Sequence, residues 1–339
     1  MEAMNKKYVL HYNYTYYMKN IEDKGEKYML VEKEAQIANF NVVIGEDEKP
    51  MLDYFDTFIY PAFVSDISRK EKDSEYLLKG VEIVENSKKE YVLVGKIVKK
   101  TVLEVHSDID ENGELVEKNE KHPSAPYSTF AIFLKNHRMV LVPNQKGSPT
   151  LASFRSTVHK MFSEYRKKEN ENRDECDKIP DFDVKVVGIP SVKSVLSVLR
   201  SVDKVNELTL RFYPLNGDFD FTGLFGNMAT DLRKAVGSKR GETILKSPKD
   251  IEGIAKVLED AAGTVDPIIT VTTKDKSKLR IKETEFSERY KFQIKDGMDY
   301  PQENQEIIKK IENVSVLEYT NELHDEIYNR NLKKIIRRN

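Results

Sequence analysis

Three β-rich segments follow one another between residues 91 and 142. YVLVGKIVKKTVLEV (91–105) and YSTFAIFL (127–134) are dominated by β-branched and aromatic residues, and MVLV (139–142) comes after the short turn NHR. Because tight turns join antiparallel strands, we expect an antiparallel β-meander. The polar stretch HSDIDENGELVEKNEKHPSAP (106–126) interrupts these segments and predicts a long hairpin or a mobile loop.

The C-terminal half opens with a strand, a helix and a second strand. DVKVVGI (183–189) is strand-like, Ser191 follows a proline at a helix start, and NELTLRFYPLN (206–216) alternates again as a strand. This succession predicts a βαβ unit. Helices are also expected around 222–236, from Ser247 and towards the C-terminus, and strands at PIITVTT, KLRIKE and RYKFQIK. Without regular βα alternation, the predicted class is α+β.

The domain division follows the charge pattern. The run SEYRKKENENRDECDKIPD (163–181) loses its apolar period and ends in Ile-Pro. We therefore expect an N-terminal α+β domain (1–170), a linker (171–182) and a C-terminal α+β domain (183–339) with a charged helical end. KPMLDYFDTFIYPAFV is expected to form a helix that stops at Pro61, and YVLHYNYTYY (8–17) a strand.

Composition narrows the class of protein. The 339 residues are 39% hydrophobic and 33% charged, as in a soluble folded chain, and no apolar run approaches the roughly 20 residues of a membrane helix. The single Cys176 fits a reducing cytoplasm. A net charge of −2 does not indicate a free-standing nucleic-acid binder, although it permits a local basic patch.

The common catalytic motifs are missing from the sequence. It has no Walker A, G-x-G-x-x-G, G-x-S-x-G or H-E-x-x-H pattern and no Cys/His metal spacing, so we expect no cofactor and no metal site. Two acidic pairs, Asp53 with Asp56 and Asp218 with Asp220, have a spacing that could hold Mg²⁺. In a chain this acidic such pairs are expected by chance.

The stretch NHRMVLVPNQKGSPTLASFRSTVHK (136–160) carries the best candidate site. Ser148 followed by a proline predicts a helix start, and the apolar stripe of that helix is Leu151, Phe154, Val158, Phe162 and Tyr165. At about 100° per residue, three residues fall together beside the stripe. This basic edge consists of Arg155, His159 and Arg166.

Other basic residues lie near this helix or in a second cluster. His137 and Arg138 occupy the preceding turn, and Lys146 lies at the helix N-terminus, where backbone amides and the helix dipole favour anions. RKAVGSKRGETILKSPK (233–249) is interpreted as a mobile loop in which Lys239 and Arg240 are candidates for backbone contacts with nucleic acid. The C-terminal NLKKIIRRN predicts a basic helix end that could dock on a partner or on nucleic acid.

Three interpretations of the stretch stay open. It can be an ordinary helix start with His137 exposed in a turn and His159 packed at the helix edge. It can bind an anion or nucleic acid through its cations. It can also cleave RNA without metal, with His137 and His159 as base and acid and a cation stabilising the transition state.

Two segments, TFAIFLKNHRMVLVPNQKGSPTLASFRSTVHKMF (129–162) and VKVVGIPSVKSVLSVLRSVDKVNELTLRFYPLN (184–216), resemble uncharacterised proteins encoded in bacterial anti-phage defence loci. The resemblance covers about a fifth of the chain. It implies a cytosolic protein that acts in immunity, usually with another subunit, and it implies no catalytic residues.

We therefore expect an accessory or sensor subunit of an anti-phage defence system that binds nucleic acid or a partner protein, or forms a homo-oligomer. One alternative is a metal-independent ribonuclease or toxin using His137 and His159. Another is a phage- or plasmid-encoded interaction factor without nucleic-acid contact. Catalysis by this chain is not favoured, and no membrane association is expected.

Overall fold

The computed structural model describes residues 20–23, 26–215, 233 and 235–338. In these residues the chain forms two antiparallel sheets with helices packed against them, so the predicted α+β class is confirmed. The strand predicted at 8–17 and nearly all of the helix predicted around 222–236 lie outside the described residues.

The larger sheet has eleven strands among the described residues and is curled into a half-barrel. Its strands are β1 (Asn20–Asp23), β2 (Glu26–Ile44), β3 (Lys49–Pro50), β4 (Arg69–Glu71), β5 (Ser74–Glu85), β6 (Tyr91–Ile109), β7 (Leu115–Ser124), β8 (Tyr127–Phe133), β9 (Arg138–Pro143), β10 (Phe182–Gly188) and β15 (Arg289–Lys295). The strand order is β1-β2-β9-β8-β6-β5-β4. In addition, β3, β10 and β15 each pair with β2, and β7 pairs with β6. The neighbours β6, β8 and β9 are the predicted meander.

Strand β2 joins distant parts of the chain. Its residues 36–39 pair with β9, and residues 30–36 and 38–44 pair with β15 and β10. Because both β10 and β15 follow the predicted linker, the C-terminal half contributes strands to the sheet begun by the N-terminal half. The division at 1–170 and 183–339 stays a prediction.

Helices on one face of the large sheet bury an aromatic core. They are α1 (Tyr60–Phe63), preceded by a 3₁₀ turn (Met51–Tyr54) and a π-helical turn (Phe55–Ile59), α2 (Leu151–Asn170) and α7 (Glu322–Ile336). Phe154 and Phe162 of α2 are fully buried among the rings of this core. Pro61 was expected to end the first helix. It lies instead in the first turn of α1, and the helical run continues two residues further, to Phe63.

The opposite face is covered by α5 (Tyr300–Ile311) and α6 (Ser315–Glu318). The apolar contacts come from alternate residues of the central strands and from one side of α5, chiefly Ile37, Val92, Val94, Val140, Ile307, Ile308 and Ile311. Both faces of the sheet are therefore buried where these helices lie, which explains the nearly continuous apolar run of β8.

A smaller sheet has the order β12-β11-β13-β14. It consists of β11 (Lys204–Phe212), β12 (Gly241–Lys246), β13 (Asp266–Thr272) and β14 (Lys278–Lys282), and α3 (Val192–Leu199) and α4 (Ile251–Asp260) pack on one face. The predicted succession of strand, helix and strand is confirmed as β10, α3 and β11. However, β10 and β11 lie in different sheets and pair antiparallel with their neighbours, so they do not form a parallel βαβ crossover.

Three local expectations are corrected. Helix α2 begins two residues later than expected, because Thr150 caps it and Ser148 donates to Asn144 at 2.8 Å. Helix α4 begins after Asp250, whose carboxylate accepts from two backbone amides, and not at Ser247. The stretch 233–249 was interpreted as a mobile loop between helices, but it contains strand β12, which pairs with β11.

Candidate functional site

The basic edge of α2 lies along residues 179–185 of the same chain. Arg166 donates from Nε to the carbonyl oxygen of Ile179 at 3.0 Å, and its Nη1 lies 3.5 Å from Asp181. The exposed His159 packs its ring on Phe182, with 5.5 Å between centroids. The residues that were expected to meet a ligand therefore contact the chain that leads into β10.

Arg155 and Arg240, which belong to separate clusters in the sequence, lie near the same lysine. Burial lowers the pKa of Lys185 in β10; the carboxylate of Asp183 opposes this effect, and the charges of Arg240 and Arg155 add to it. The structure thus brings two predicted cations together and adds Lys185, which sequence reasoning missed. Its only signal was a charged residue at an alternating position of DVKVVGI.

Carboxylates balance this cluster. The Nζ of Lys185 and a guanidinium nitrogen of Arg240 lie 3.8 and 3.9 Å from the same oxygen of Asp183. Asp266 also acts on Lys185, and Glu283 lies nearby with its pKa raised, mainly by burial. Three cations facing three carboxylates create little net positive potential, which does not favour a phosphate backbone as ligand.

His137 and Arg138 are buried at the junction between the sheets. His137 has a left-handed φ of 55° and no exposed surface. Arg138, 1% exposed, donates from Nη1 to the carbonyl oxygen of Ala262 at 2.6 Å, and burial lowers its pKa to about 10. Arg138 therefore ties the β8–β9 turn to the loop before β13, and the backbone carbonyl of His137 accepts from the Phe40 amide at 2.9 Å.

Gly263 lets the two sheets approach at this junction. Its φ is 75°, and a Cβ there would lie 3.0 Å from Ile189 and 3.1 Å from Asn39. Its carbonyl oxygen accepts from the Tyr213 hydroxyl at 2.8 Å. The polar residues of this region thus have a structural use, which the sequence did not indicate.

The geometry does not support RNA cleavage by the two histidines. A base and an acid must both reach one phosphate, and His137 is fully buried while His159 is exposed on α2. The pKa of His324 is lowered to about 3, mainly by burial, and the charge of the nearby His137 adds to this effect.

Two other predicted cations are exposed. Lys146 lies on the connection between β9 and α2, and Lys239 lies before β12.

The basic C-terminal helix docks on its own chain. Asp53 accepts hydrogen bonds from Arg330 at 3.0 Å and Asn331 at 2.8 Å, and its carbonyl oxygen accepts from Lys334 at 2.7 Å. Arg337 lies 3.7 Å from Asp56, the other member of the pair considered for Mg²⁺. These contacts give a structural role both to the basic helix end and to the acidic pair Asp53 and Asp56. The pair Asp218 and Asp220 lies outside the described residues.

A second candidate site is a two-stranded arm, residues 101–124. Strand β6 pairs with β5 as far as Lys100 and with β8 as far as Val98. From Thr101 onward, its one partner among the described strands is β7. Nine residues at about 3.3 Å each make the arm about 30 Å long. The predicted long hairpin is thus confirmed, and the mobile-loop alternative is not needed for this stretch.

The two faces of the arm differ in chemistry, because side chains alternate along a strand. The register and a bulge between Val105 and Ser107 define an apolar face that carries Leu103, Val105, Ile109 and Leu115. The opposite, charged face carries Val102, Glu104, Asp108, Val116, Lys118 and Lys121. On the charged face, Glu104 pairs with Lys121 at 2.7 Å and Asp108 with Lys118 at 2.9 Å.

Exposure makes the apolar face unusual. Leu103, Ile109 and Leu115 are 57%, 68% and 77% exposed. Together with Val105 they form one stripe that nothing in the described chain covers. Sequence reasoning missed this surface, although the signal was present as branched apolar residues within an otherwise polar stretch.

No family model matches the chain, and no curated protein matches it. In the part of the chain that the structure describes, no helix is long and apolar enough to cross a membrane.

Proposed function

We propose that this protein is a non-catalytic subunit that works by binding a partner protein, and that the arm is its binding element. The observation that carries the proposal is the exposure of Leu103, Ile109 and Leu115 on a ribbon that pairs with no other strand of residues 20–23, 26–215, 233 and 235–338. Burying such a stripe releases water from apolar surface, which is the main driving force of protein association. The described part of the chain leaves these three side chains more than half exposed, so it gives them little of this stabilisation.

The charge of the arm favours a protein over a nucleic acid. Residues 101–124 contain seven acidic side chains and two lysines, a formal net charge of −5 with histidine neutral. A ribbon of this charge is repelled by a phosphate backbone. The balanced cluster around Lys185 does not offset this repulsion.

The setting we propose is a bacterial anti-phage defence system in the cytoplasm. Its support is the sequence resemblance of residues 129–162 and 184–216 to proteins of such loci, which usually act with another subunit. The buried position of His137 supports an accessory role over a ribonuclease.

Removal of the arm tests the proposal. Thr101 and Ser124 are register partners, so residues 102–123 can be replaced by Asn-Gly, which forms a two-residue hairpin turn. The full chain and the shortened chain are each co-expressed with the products of the neighbouring genes. We expect a stoichiometric complex with one of these products that the shortened chain does not form. A shortened chain that still binds the partner, or a full chain that binds none of them, would overturn the proposal.

A further inference from the structure

We infer that the partner takes the apolar face of the arm into an apolar groove with a basic rim, and that the partner is a different protein from this chain. The inference rests on the proposed function and adds which face binds and what chemistry receives it. Three features of the arm carry it: the contrast between its faces, the position of its unpaired acids and the sign of its charge.

The charged side chains of the charged face already pair with one another within the arm. Glu104 with Lys121 and Asp108 with Lys118 form cross-strand ion pairs, and His106 lies 3.6 Å from Glu104. A partner on this face would have to break or desolvate these pairs for little apolar gain. The apolar face presents three large side chains that are more than half exposed, so association is more favourable there.

Acidic groups surround the far end of the apolar face. Glu117 and Glu120 stand on this face, and Glu111 and Glu114 lie in the turn at the tip. Within the described residues, Glu111, Glu114 and Glu117 make no ion pair, while Glu120 contacts His122 at 2.9 Å and Lys118 at 3.7 Å. Lysine or arginine on the rim of the groove would pair with these carboxylates and fix the orientation of the arm.

The same charges disfavour a second copy of this chain. A two-fold dimer brings the same patch of both protomers together, so each patch must complement itself. Two apolar faces packed together would bring the Glu117 carboxylates of both copies, which make no ion pair among the described residues, into one interface. A basic partner removes this repulsion.

Point substitutions on the two faces test the inference with the purified complex. Leu103→Ser, Ile109→Ser and Leu115→Ser change the apolar face, and Val102→Ser and Val116→Ser are the matched controls. By isothermal titration calorimetry with the neighbouring-gene product, we expect each apolar-face change to raise Kd about ten- to thirty-fold and each control less than about threefold. Glu117→Lys should weaken binding about tenfold at low salt, and the loss should shrink in high salt.

The outcomes separate the inference from the proposed function. If the partner requires the arm but binds the apolar-face variants as tightly as the original chain, the inference fails and the proposed function stands. If no partner requires the arm, the proposed function fails. Light scattering of the purified chain alone tests whether a second copy of the chain binds the apolar face. A dimer that dissociates in the Leu115→Ser variant would show that it does, and would overturn the inference.

Discussion

The Nζ of Lys96 and the Oε2 of Glu303 lie 2.6 Å apart, and both side chains are less than a tenth exposed. Lys96 belongs to β6 and Glu303 to the first turn of α5, so this ion pair joins the helix to the sheet. Thr129 and Asn304 accept further hydrogen bonds from Lys96. Burial lowers the pKa of Lys96, and the bond to Glu303 opposes that effect.

Breaking this pair from one side should be costly. We expect Lys96→Met to lower the free energy of unfolding by about 2 kcal/mol, because the buried Glu303 loses its shortest ion pair, although it keeps Lys33 at 3.6 Å and the Tyr127 hydroxyl at 3.1 Å. Lys96→Met combined with Glu303→Leu should cost less than the two single changes together. Urea unfolding of the four proteins measures this coupling. The exposed pair Lys160 and Glu164 is the control, with a coupling below about 0.5 kcal/mol.

Acid should destabilise the protein through His324. Its pKa is about 3 in the folded state against 6.5 for the ordinary residue, so the unfolded state binds more protons between these values. Stability is therefore complete above about pH 6.5 and is lost as the pH falls towards 3, by up to about 2 kcal/mol between pH 7 and 5. Urea unfolding at several pH values measures the loss. Gln at position 324 can still accept the hydrogen bond from the Asn321 amide and does not titrate, so His324→Gln should remove this loss of stability in acid. An unchanged pH dependence would show that His324 is not its cause.

The hydrogen bonds between Asp53 and α7, which we call the Asp53 clamp, should contribute to the free energy of unfolding. Asp53→Ala removes the bonds from Arg330 and Asn331, and we expect a loss of about 1 kcal/mol in the free energy of unfolding. Asp47→Ala is the control, since that carboxylate is exposed and 3.8 Å from Lys49, and it should leave stability unchanged. Equal effects of the two changes would show that the clamp adds nothing.

Nucleic acid should not bind through the basic edge of α2. Titration of labelled RNA and DNA at low salt should give weak binding that Arg155→Glu and Arg166→Glu leave unchanged, because Glu283 lies near Arg155 and Asp181 lies 3.5 Å from Arg166. Tight binding whose salt dependence flattens in these variants would restore the nucleic-acid hypothesis.

The arm should contribute almost nothing to the stability of the folded chain. Replacing residues 102–123 by Asn-Gly removes no residue of the three apolar cores, so thermal and urea unfolding should change by less than about 0.5 kcal/mol. A large loss would mean that the arm packs on the rest of the protein, and the docking role would then lack its basis.

Much of the local structure could be predicted from the sequence. The strands β6, β8 and β9, the helix α2 with its stripe from Leu151 to Phe162, and the succession of β10, α3 and β11 follow from apolar periodicity. For α3 the capping residue Ser191 was also a correct signal. These features depend on neighbouring residues, because side-chain alternation and helix caps act over one or two turns.

The tertiary structure decided the partners of these elements. Nothing local to DVKVVGI shows that β10 pairs with β2 while β11 joins another sheet, since pairing depends on residues far apart in sequence. For the same reason the candidate site changed. Arg138 and His137 are buried junction residues, Arg155 and Arg240 both lie near Lys185, and a polar hairpin carries an exposed apolar face. Residue type and spacing determine which side chains share a face, and only the fold determines what covers that face.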